Sequence, residues 1–451
     1  MPLVRRVSAA ATGLLVAGAL ASTGPHAVAE SAPGCVDGIA PLRYVVLFAP
    51  GSARAEAEDE VADRCGQVAA YYAEIGVGVV DSADPGFGQR MGPDRAFSAE
   101  RQIRADRIKA GESQNAAAET APGPDERWNL RQIHVPEAHA ITRGSPDVVV
   151  GVLDSGVDGA HPQLAEAVDV GRSANCLVPE DPELDAPPEG DAHGTHVAGI
   201  IAADDDGRGG GVAPRTRIAS IRVVDREGYA HPEAAVCGFM WAAEHGVDVV
   251  NSSFLVESAQ LGCTRAGSPV PREAVRRAVA HATSRDVLTV AAVGNDRTDL
   301  TTVPHRQRPV CAAVPADLDG VVSVAAVGPD AVKSGYSSYG LGEVDLAAPG
   351  GDQRGGRCVR STVPGGEHRS LCGTSMAAPH VAGVAALLAA RHPEAGAAEL
   401  GRLLLDGARP LTCPSDYDLD ADGGQDALCR GYATYNGFYG HGLVDARSAV
   451  G

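Results

Sequence analysis

One stretch constrains this chain more than any other. Gly373-Thr374-Ser375-Met376-Ala377-Ala378-Pro379-His380 opens an apolar run over residues 381–390. That run has no polar face and is rich in small residues, the pattern of a helix buried on every side. Ser375 falls in its first turn, where unpaired N–H groups and the positive end of the macrodipole point outward. A serine so placed can attack a carbonyl, because those N–H groups can hold the oxyanion that develops. It can equally be a helix cap together with Thr374, the commoner use of such residues. Two earlier stretches decide between the two.

The chain has 451 residues, 44% of them apolar, enough for one large domain with extras or for two to three small ones. A formal net charge of −20 argues against nucleic acid and against an anionic membrane surface as partners. Lys109 and Lys333 are the only lysines; the remaining positive charge is arginine. Residues 1–29 read as an export signal: Arg5 and Arg6, an apolar stretch over 7–21, then Ala27-Val28-Ala29 before Glu30. Gly13 and Gly18 interrupt the apolar stretch, which is short for a membrane anchor. No later stretch is long and apolar enough to span a bilayer, so the expectation is a secreted, extracellular protein with no membrane partner. Ten cysteines in an exported chain, with no Cys-x-x-Cys spacing, point to disulfides rather than zinc.

Residues 30–119 have their own pattern, predicting a strand at 44–48, a helix at 53–73, a strand at 75–80 and a polar helix at 98–110. Cys35 and Cys65 lie inside this region and can pair. Residues 111–124, rich in Ala, Gly, Pro and Glu, read as an exposed linker. A helical stretch follows at 128–141. The run Asp147-Val148-Val149-Val150-Gly151-Val152-Leu153 suits a strand buried on both faces of a parallel sheet. Strands at 217–224, 247–251 and 287–293 then alternate with helices at 232–245 and 272–285. The fold class is therefore α/β, a mostly parallel sheet sandwiched by helices, preceded by a small α+β region. In such sheets the site lies beyond the carboxyl ends of the strands.

Asp154 stands directly after the first of these strands, in Asp154-Ser155-Gly156. His193 opens His193-Gly194-Thr195-His196-Val197-Ala198-Gly199, whose small residues allow a helix to approach its neighbours. Acyl transfer by a serine needs a base for its proton and a carboxylate to orient that base. Asp, His, Ser is one of the known chain orders of this triad. Taken singly, Asp154 can be a turn former, and His193 with His196 a metal pair, although His-x-x-His lacks the i,i+4 spacing and glutamate of a zinc protease helix.

Taken together, the three stretches resemble the signature motifs of the subtilisin-like (subtilase) serine proteases. The resemblance runs from about Trp128 to Gly440-His441-Gly442-Leu443-Val444-Asp445-Ala446. It implies a catalytic domain over 125–451 with Asp154 as orienting acid, His193 as general base and Ser375 as nucleophile. Ala291-Ala292-Val293-Gly294-Asn295 resembles the segment whose asparagine completes the oxyanion hole, so Asn295 is implied as its side-chain donor. His196 and His380 are expected to pack and hydrogen-bond. Ser252, Ser253, Phe254 and Leu255 on one side, and Ala292 and Gly294 on the other, are implied to bind substrate. There the sequence departs from the family: Asn251-Ser252-Ser253-Phe254-Leu255 carries Leu255 where the family usually has a glycine, which bears on pocket depth and not on chemistry. An acidic, proline-rich insert at 179–191 precedes His193 and reads as a solvated loop or as an acidic lip for cationic substrates. The resemblance also gives residues 30–124 a meaning: a propeptide that assists folding and inhibits until cut.

The implied function is a secreted serine endopeptidase made as a self-processed zymogen, a monomer whose partners are protein or peptide substrates and its own propeptide. A dedicated maturation protease for one peptide precursor is the alternative, with a catalytically silent peptide-binding relative as a third. No cofactor is required for the chemistry. Among the cysteines, Cys358–Cys372 and Cys413–Cys429 are the expected near pairs, each closing a loop worth roughly 3 kcal/mol on the chain-entropy model. Cys176, Cys237, Cys263 and Cys311 form the other two bridges in an order the sequence does not give. Asp418, Asp420, Asp422 and Asp426, with Gly423, match part of a calcium loop, but position twelve is Cys429 rather than glutamate. Structural calcium and a solvated acidic turn both remain open.

Overall fold

The computed structural model describes residues 34–36, 38, 40–99, 127–182, 192–204, 210–256, 268–301, 313–352, 357–419 and 421–451. The expected export signal, the linker at 111–124, nearly all of the helix at 98–110, most of the acidic insert, Cys263, Cys311 and Asp420 lie outside these residues.

The N-terminal region contains β1 (Leu42–Leu47), α1 (Arg54–Ala62), β2 (Gln67–Tyr72), β3 (Val77–Ser82), α2 (Phe87–Met91) and β4 (Ala96–Phe97). The strands form an antiparallel sheet in the order β2-β3-β1-β4. Alternation along β1 gives the sheet two apolar faces. Tyr44 and Val46 pack with Val61 of α1 and Phe87 of α2. Val45, with Ile75 and Val77, faces the rest of the molecule. The single helix expected at 53–73 is half the predicted length. Cys65 takes a left-handed φ of 73°, and a Cβ on Gly66 would collide with Phe87, Val61 and Val80. The chain therefore reverses there and enters β2, whose Val68, Tyr71 and Tyr72 favour a strand. Cys35 and Cys65 are joined.

The larger region opens with α3 (Trp128–Gln132) and α4 (Val135–His139), where one helix was expected. His134 breaks it at φ 55°, held by a 2.6 Å contact between its Nδ1 and Asp445. There follow β5 (Val149–Asp154), β6 (Ala174–Asn175), α5 (His193–Ala202), β7 (Arg217–Arg222), α6 (Pro232–Glu244), β8 (Val249–Ser252), α7 (Pro269–Ser284) and β9 (Leu288–Ala292). The last part comprises β10 (Val321–Val327), β11 (Leu346–Pro349), β12 (Val359–Val363), β13 (Glu367–Leu371), α8 (Thr374–Arg391), α9 (Ala397–Asp406), β14 (Gly431–Tyr432), β15 (Tyr435–Asn436) and α10 (Ala446–Val450). The seven-stranded sheet has the order β11-β10-β9-β8-β5-β7-β6, and its neighbouring strands pair in parallel.

Two cores flank this sheet. Val150 and Val152 of β5 face α5, α8 and α9, while Val149 and Leu153 face α6 and α7. Helix α8 is buried almost throughout, as its lack of a polar face requires. Each fully buried Val or Leu on it contributes about 1.5–3 kcal/mol of transfer free energy. Close approach depends on glycine: a Cβ on Gly199 of α5 would collide with Ser361 and Thr362 of β12. The N-terminal sheet lies on the outer side of α6 and α7, sharing their apolar cluster through Val45, Ile75 and Val77. Arg277 of α7 donates to the carbonyls of Phe48 at 2.8 Å and Ile75 at 3.0 Å. Arg43 of β1 pairs with Glu180 at 3.0 Å, at the start of the acidic insert.

Candidate active site

The carboxyl ends of β5, β8 and β9 and the N-termini of α5 and α8 bring the predicted residues together. Asp154 ends β5 and is 1% exposed. One of its oxygens accepts from Ser155 N at 2.8 Å and lies 2.8 Å from Nδ1 of His193. A carboxylate only accepts, so Nδ1 carries the hydrogen and Nε2 is left as the basic nitrogen. His193 is the first residue of α5. A Cβ on Gly194 would collide with the Gly156 carbonyl, so glycine there lets the helix start against the turn after β5. Gly194 N donates to Ser155 Oγ at 3.1 Å and Asp158 N to Thr195 Oγ1 at 2.9 Å, closing that junction.

Strands β5 and β8 pair with Leu153 opposite Ser252. The residues one step further, Asp154 and Ser253, therefore leave the sheet side by side. Ser253 holds the nucleophile candidate by two bonds: Ser375 Oγ donates to Ser253 O at 3.0 Å, and Ser253 Oγ donates to Ser375 O at 3.0 Å. Asn251 Nδ2 supports Ser253 Oγ at 2.9 Å. On the β9 side, Asn295 Oδ1 accepts from Thr374 N at 2.9 Å and Thr374 Oγ1 at 3.0 Å. With its oxygen engaged, Asn295 offers its Nδ2 as the remaining polar end, beside the start of α8. The structure pairs Cys358 with Cys372, three residues before Ser375, and Cys413 with Cys429. It also resolves one pairing left open by the sequence, Cys176 with Cys237.

His196 and His380 are buried. His196 Nε2 lies 3.1 Å from the carbonyls of Val359 and Arg369, and burial pushes its pKa down to about 3. His380 Nδ1 donates to Met376 O at 2.7 Å, and its Nε2 accepts from Asn129 Nδ2 at 2.8 Å; burial pushes it down to about 4. Both are neutral packing groups. The Asn129 contact, which links the residues just after the expected linker to the helix of Ser375, gave no sequence signal.

Phe254 and Leu255 pack on the same cluster as Ala291 and Val293. Gly294 has a φ of 96°, and a Cβ there would stand 3.0 Å from Leu255 Cδ1. Leu255 therefore covers Gly294 across the gap between the segments at 252–255 and 292–294. At the acidic loop, Asp418 accepts from Asp422 N at 3.2 Å and Gly423 N at 2.8 Å, Asp422 from Gly424 N at 2.7 Å, and Asp426 from Leu419 N at 2.7 Å. Among the described residues, the one gathering of His, Cys, Asp and Glu tight enough to hold an ion is Cys35, Cys65 and Asp84, whose cysteines form a disulfide.

A family model described as the subtilase family matches residues 145–442. M-protease of Shouchella clausii (strain KSM-K16) is 35% identical over 267 residues, 59% of this chain and 60% of that protein. Subtilisin BL of Lederbergia lenta is 34% identical over 267 residues, 59% of this chain and 85% of that protein. The chain thus spans about three fifths of the length of M-protease and more of Subtilisin BL. Among solved structures, the epidermin leader peptide processing serine protease EpiP of Staphylococcus aureus has a TM-score of 0.65 at 20% identity, covering 91% of this chain and 98% of that one, a likeness of fold. A lanthipeptide protease has a TM-score of 0.57 at 26% identity, covering 74% of this chain and 98% of that one. With its parallel sheet, its motif residues at the carboxyl edge and a family match over most of its length, the chain belongs to the subtilase family.

Proposed function

We propose that the chain is a serine endopeptidase that hydrolyses peptide bonds through Ser375, His193 and Asp154. The observation that carries this reading is the 2.8 Å contact of His193 Nδ1 with buried Asp154, on the strand beside the one that holds Ser375. Ser375 Oγ turns from Ser253 O toward the scissile carbonyl and gives its proton to His193 Nε2. Asp154 stabilises the imidazolium. The oxyanion of the tetrahedral intermediate takes hydrogen bonds from Ser375 N and Asn295 Nδ2. The amine leaves with the proton from His193, forming the acyl-enzyme, and water repeats the sequence to release the acid. No step needs a cofactor. At the acidic loop, the bonds that Asp418, Asp422 and Asp426 accept from the loop's own N–H groups support the acidic-turn reading.

The reading extends to a secreted zymogen with export signal 1–29 and propeptide 30–124. It is supported by the N-terminal sheet lying on α6 and α7. Among the described residues no helix is long and apolar enough to cross a membrane. Ser375→Ala tests both parts. It should lose labelling by a fluorophosphonate probe, fall below about 10⁻³ of wild-type turnover, and stay joined to residues 30–124. Wild type should begin between Ser113 and Arg127. Retained turnover in the variant refutes the nucleophile, and Glu30 at the start of the active enzyme refutes the propeptide.

A second reading, favoured by the Leu255–Gly294 contact, is a maturation protease for one precursor such as a lanthipeptide. Digestion of a peptide library separates the two: many cleaved sequences support a broad endopeptidase, a single cleaved motif the dedicated one.

A further inference from the structure

Lys333, one of only two lysines in the chain, is 1% exposed. Burying an amine is costly unless its donors are met. Nζ donates to Ser337 O at 2.6 Å and Ser334 O at 3.0 Å. It lies 5.2 Å from the ring centroid of Tyr339, 5.3 Å from Tyr417 and 5.4 Å from Phe438, within cation–π range of all three. The backbone is fixed too, since Tyr417 Oη donates to Lys333 O at 2.9 Å. Burial and Arg297 push its pKa down to about 7, against the opposing pull of Asp426 and Asp352. A guanidinium fork is broader and planar, whereas a compact head on a slim stem can end between two carbonyls and three rings. That accounts for a lysine in a chain that otherwise uses arginine.

The turn that Nζ holds, residues 334–337, is tied to both sides of the oxyanion site. Ser338 N donates to Gly294 O at 2.9 Å, and Arg297 N to Tyr336 O at 3.0 Å. Tyr339 N donates to Thr298 O at 2.9 Å. The segment thus runs along the loop that carries Asn295. On the other side, Tyr336 Oη shares its hydrogen between Gly350 O at 2.9 Å and Gly351 O at 2.8 Å. The Gly350 carbonyl also takes Gly373 N at 3.0 Å, two residues before Ser375.

We infer that Lys333 is a positioning residue for the oxyanion hole, its Nζ holding the 334–337 turn that sets Asn295 and the start of α8 against each other. The inference rests on the assignment of Asn295 and Ser375 proposed above. Lys333 touches no substrate and acts through the two donors. Losing one oxyanion donor outright costs about 10²–10³ in kcat, a figure taken from a subtilisin; loosening the frame behind both should cost a fraction of that, about tenfold.

Lys333→Met keeps the stem and removes the donors. In active-site-titrated enzyme, kcat should fall about tenfold with KM within about twofold, the pattern of an interaction realised in the transition state. Inhibition by a peptide aldehyde, whose adduct places an oxyanion in the same hole, should weaken in parallel. In a double-mutant cycle with Asn295→Ala the two losses should fall short of additive. A lower Tm with unchanged kcat and aldehyde affinity, or full additivity with Asn295→Ala, would overturn the inference. If Lys333→Met does not fold, Tyr336→Phe removes only the hydroxyl's ties to the Gly350 and Gly351 carbonyls; it should lower kcat about threefold at constant KM, and an unchanged kcat overturns the inference. A wild type that neither cleaves peptides nor labels with fluorophosphonate removes the underlying reading, and this one with it.

Discussion

Leu255→Gly is the sharpest test of how this site chooses its substrate. A peptide bond held over Ser375, with its oxygen toward Asn295, sends the side chain before the scissile bond between the segments at 252–255 and 292–294. In wild type that gap is narrowed by Leu255, whose Cδ1 lies 3.0 Å from where a Gly294 Cβ would stand. A phenylalanine should then be excluded, while alanine should fit. Burying a large apolar side chain is worth about 1.5–3 kcal/mol. Expressed as transition-state binding, that is about 10–150-fold in kcat/KM. Removing Leu255 should therefore raise the Phe/Ala ratio by about 10–150-fold, with Leu255→Ala in between. Leu255 is only partly buried, so the variant should fold, with a stability loss of about 1–2 kcal/mol, at the low end for core truncations. The assay is kcat/KM for two tetrapeptide anilides that differ only in Ala or Phe at the last residue. A ratio that moves less than about twofold, or a wild type that already prefers Phe, refutes the argument. A small-residue preference also makes Ala116-Ala117-Ala118 in the linker suitable for self-cleavage.

Two further outcomes follow from groups away from the nucleophile. His196 and His380 are held neutral, with folded pKa values of about 3 and about 4 against an unfolded value near 6.5. The unfolded chain binds more protons below pH 6.5, so the stability these groups supply is complete above that pH and is lost as pH falls toward 4 and 3. His380 alone should cost roughly 3 kcal/mol by pH 4. Denaturant melts at pH 7 and pH 4 should therefore converge in His380→Gln relative to wild type, and an identical pH dependence in both proteins would exclude this linkage. On the acidic-turn reading, replacing Asp418, Asp420 and Asp422 together with asparagine should leave any calcium-induced rise in Tm unchanged; a rise present only in wild type would make the loop a calcium site.

Much of the fold was legible because it is written in local patterns. The β-branched run before Asp154 and the helix without a polar face after Ser375 each admit one placement, inside a layered α/β fold. What the sequence hid depends on contacts between distant segments. Residues 53–73 carry helix-forming Ala and Glu in their first half, yet the left-handed turn at Cys65 and the crowding at Gly66 send the second half into a strand. Strands β11 and β13 are short segments whose partners, not their composition, make them strands. The motif residues that meet at the candidate site could be named from sequence, but not the frame behind them. Ser253, Tyr336 and Lys333 reach the site through carbonyls, and main-chain acceptors leave no mark in a sequence. Lys333 left only an indirect one, its rarity in an arginine-rich chain.

Pro379 shows how one residue of a motif acquires a physical reason only when the contacts are known. A proline inside a helix removes the N–H that would bond four residues back, a loss usually costing about 3 kcal/mol. Here the carbonyl left free is that of Ser375, and Ser253 Oγ occupies it at 3.0 Å. The unmade helical bond is thus replaced by one to the strand end next to Asp154. This ties the backbone of Ser375, the proposed nucleophile, to the sheet rather than to its own helix. Ser375 Oγ keeps a soft partner in Ser253 O, so the hydroxyl can turn while the backbone stays fixed. The first turn of α8 is therefore held from two sides, by Ser253 at the carbonyl of Ser375 and by Asn295 at the N–H of Thr374. Both anchors fix the first turn around the N–H of Ser375, the proposed oxyanion donor.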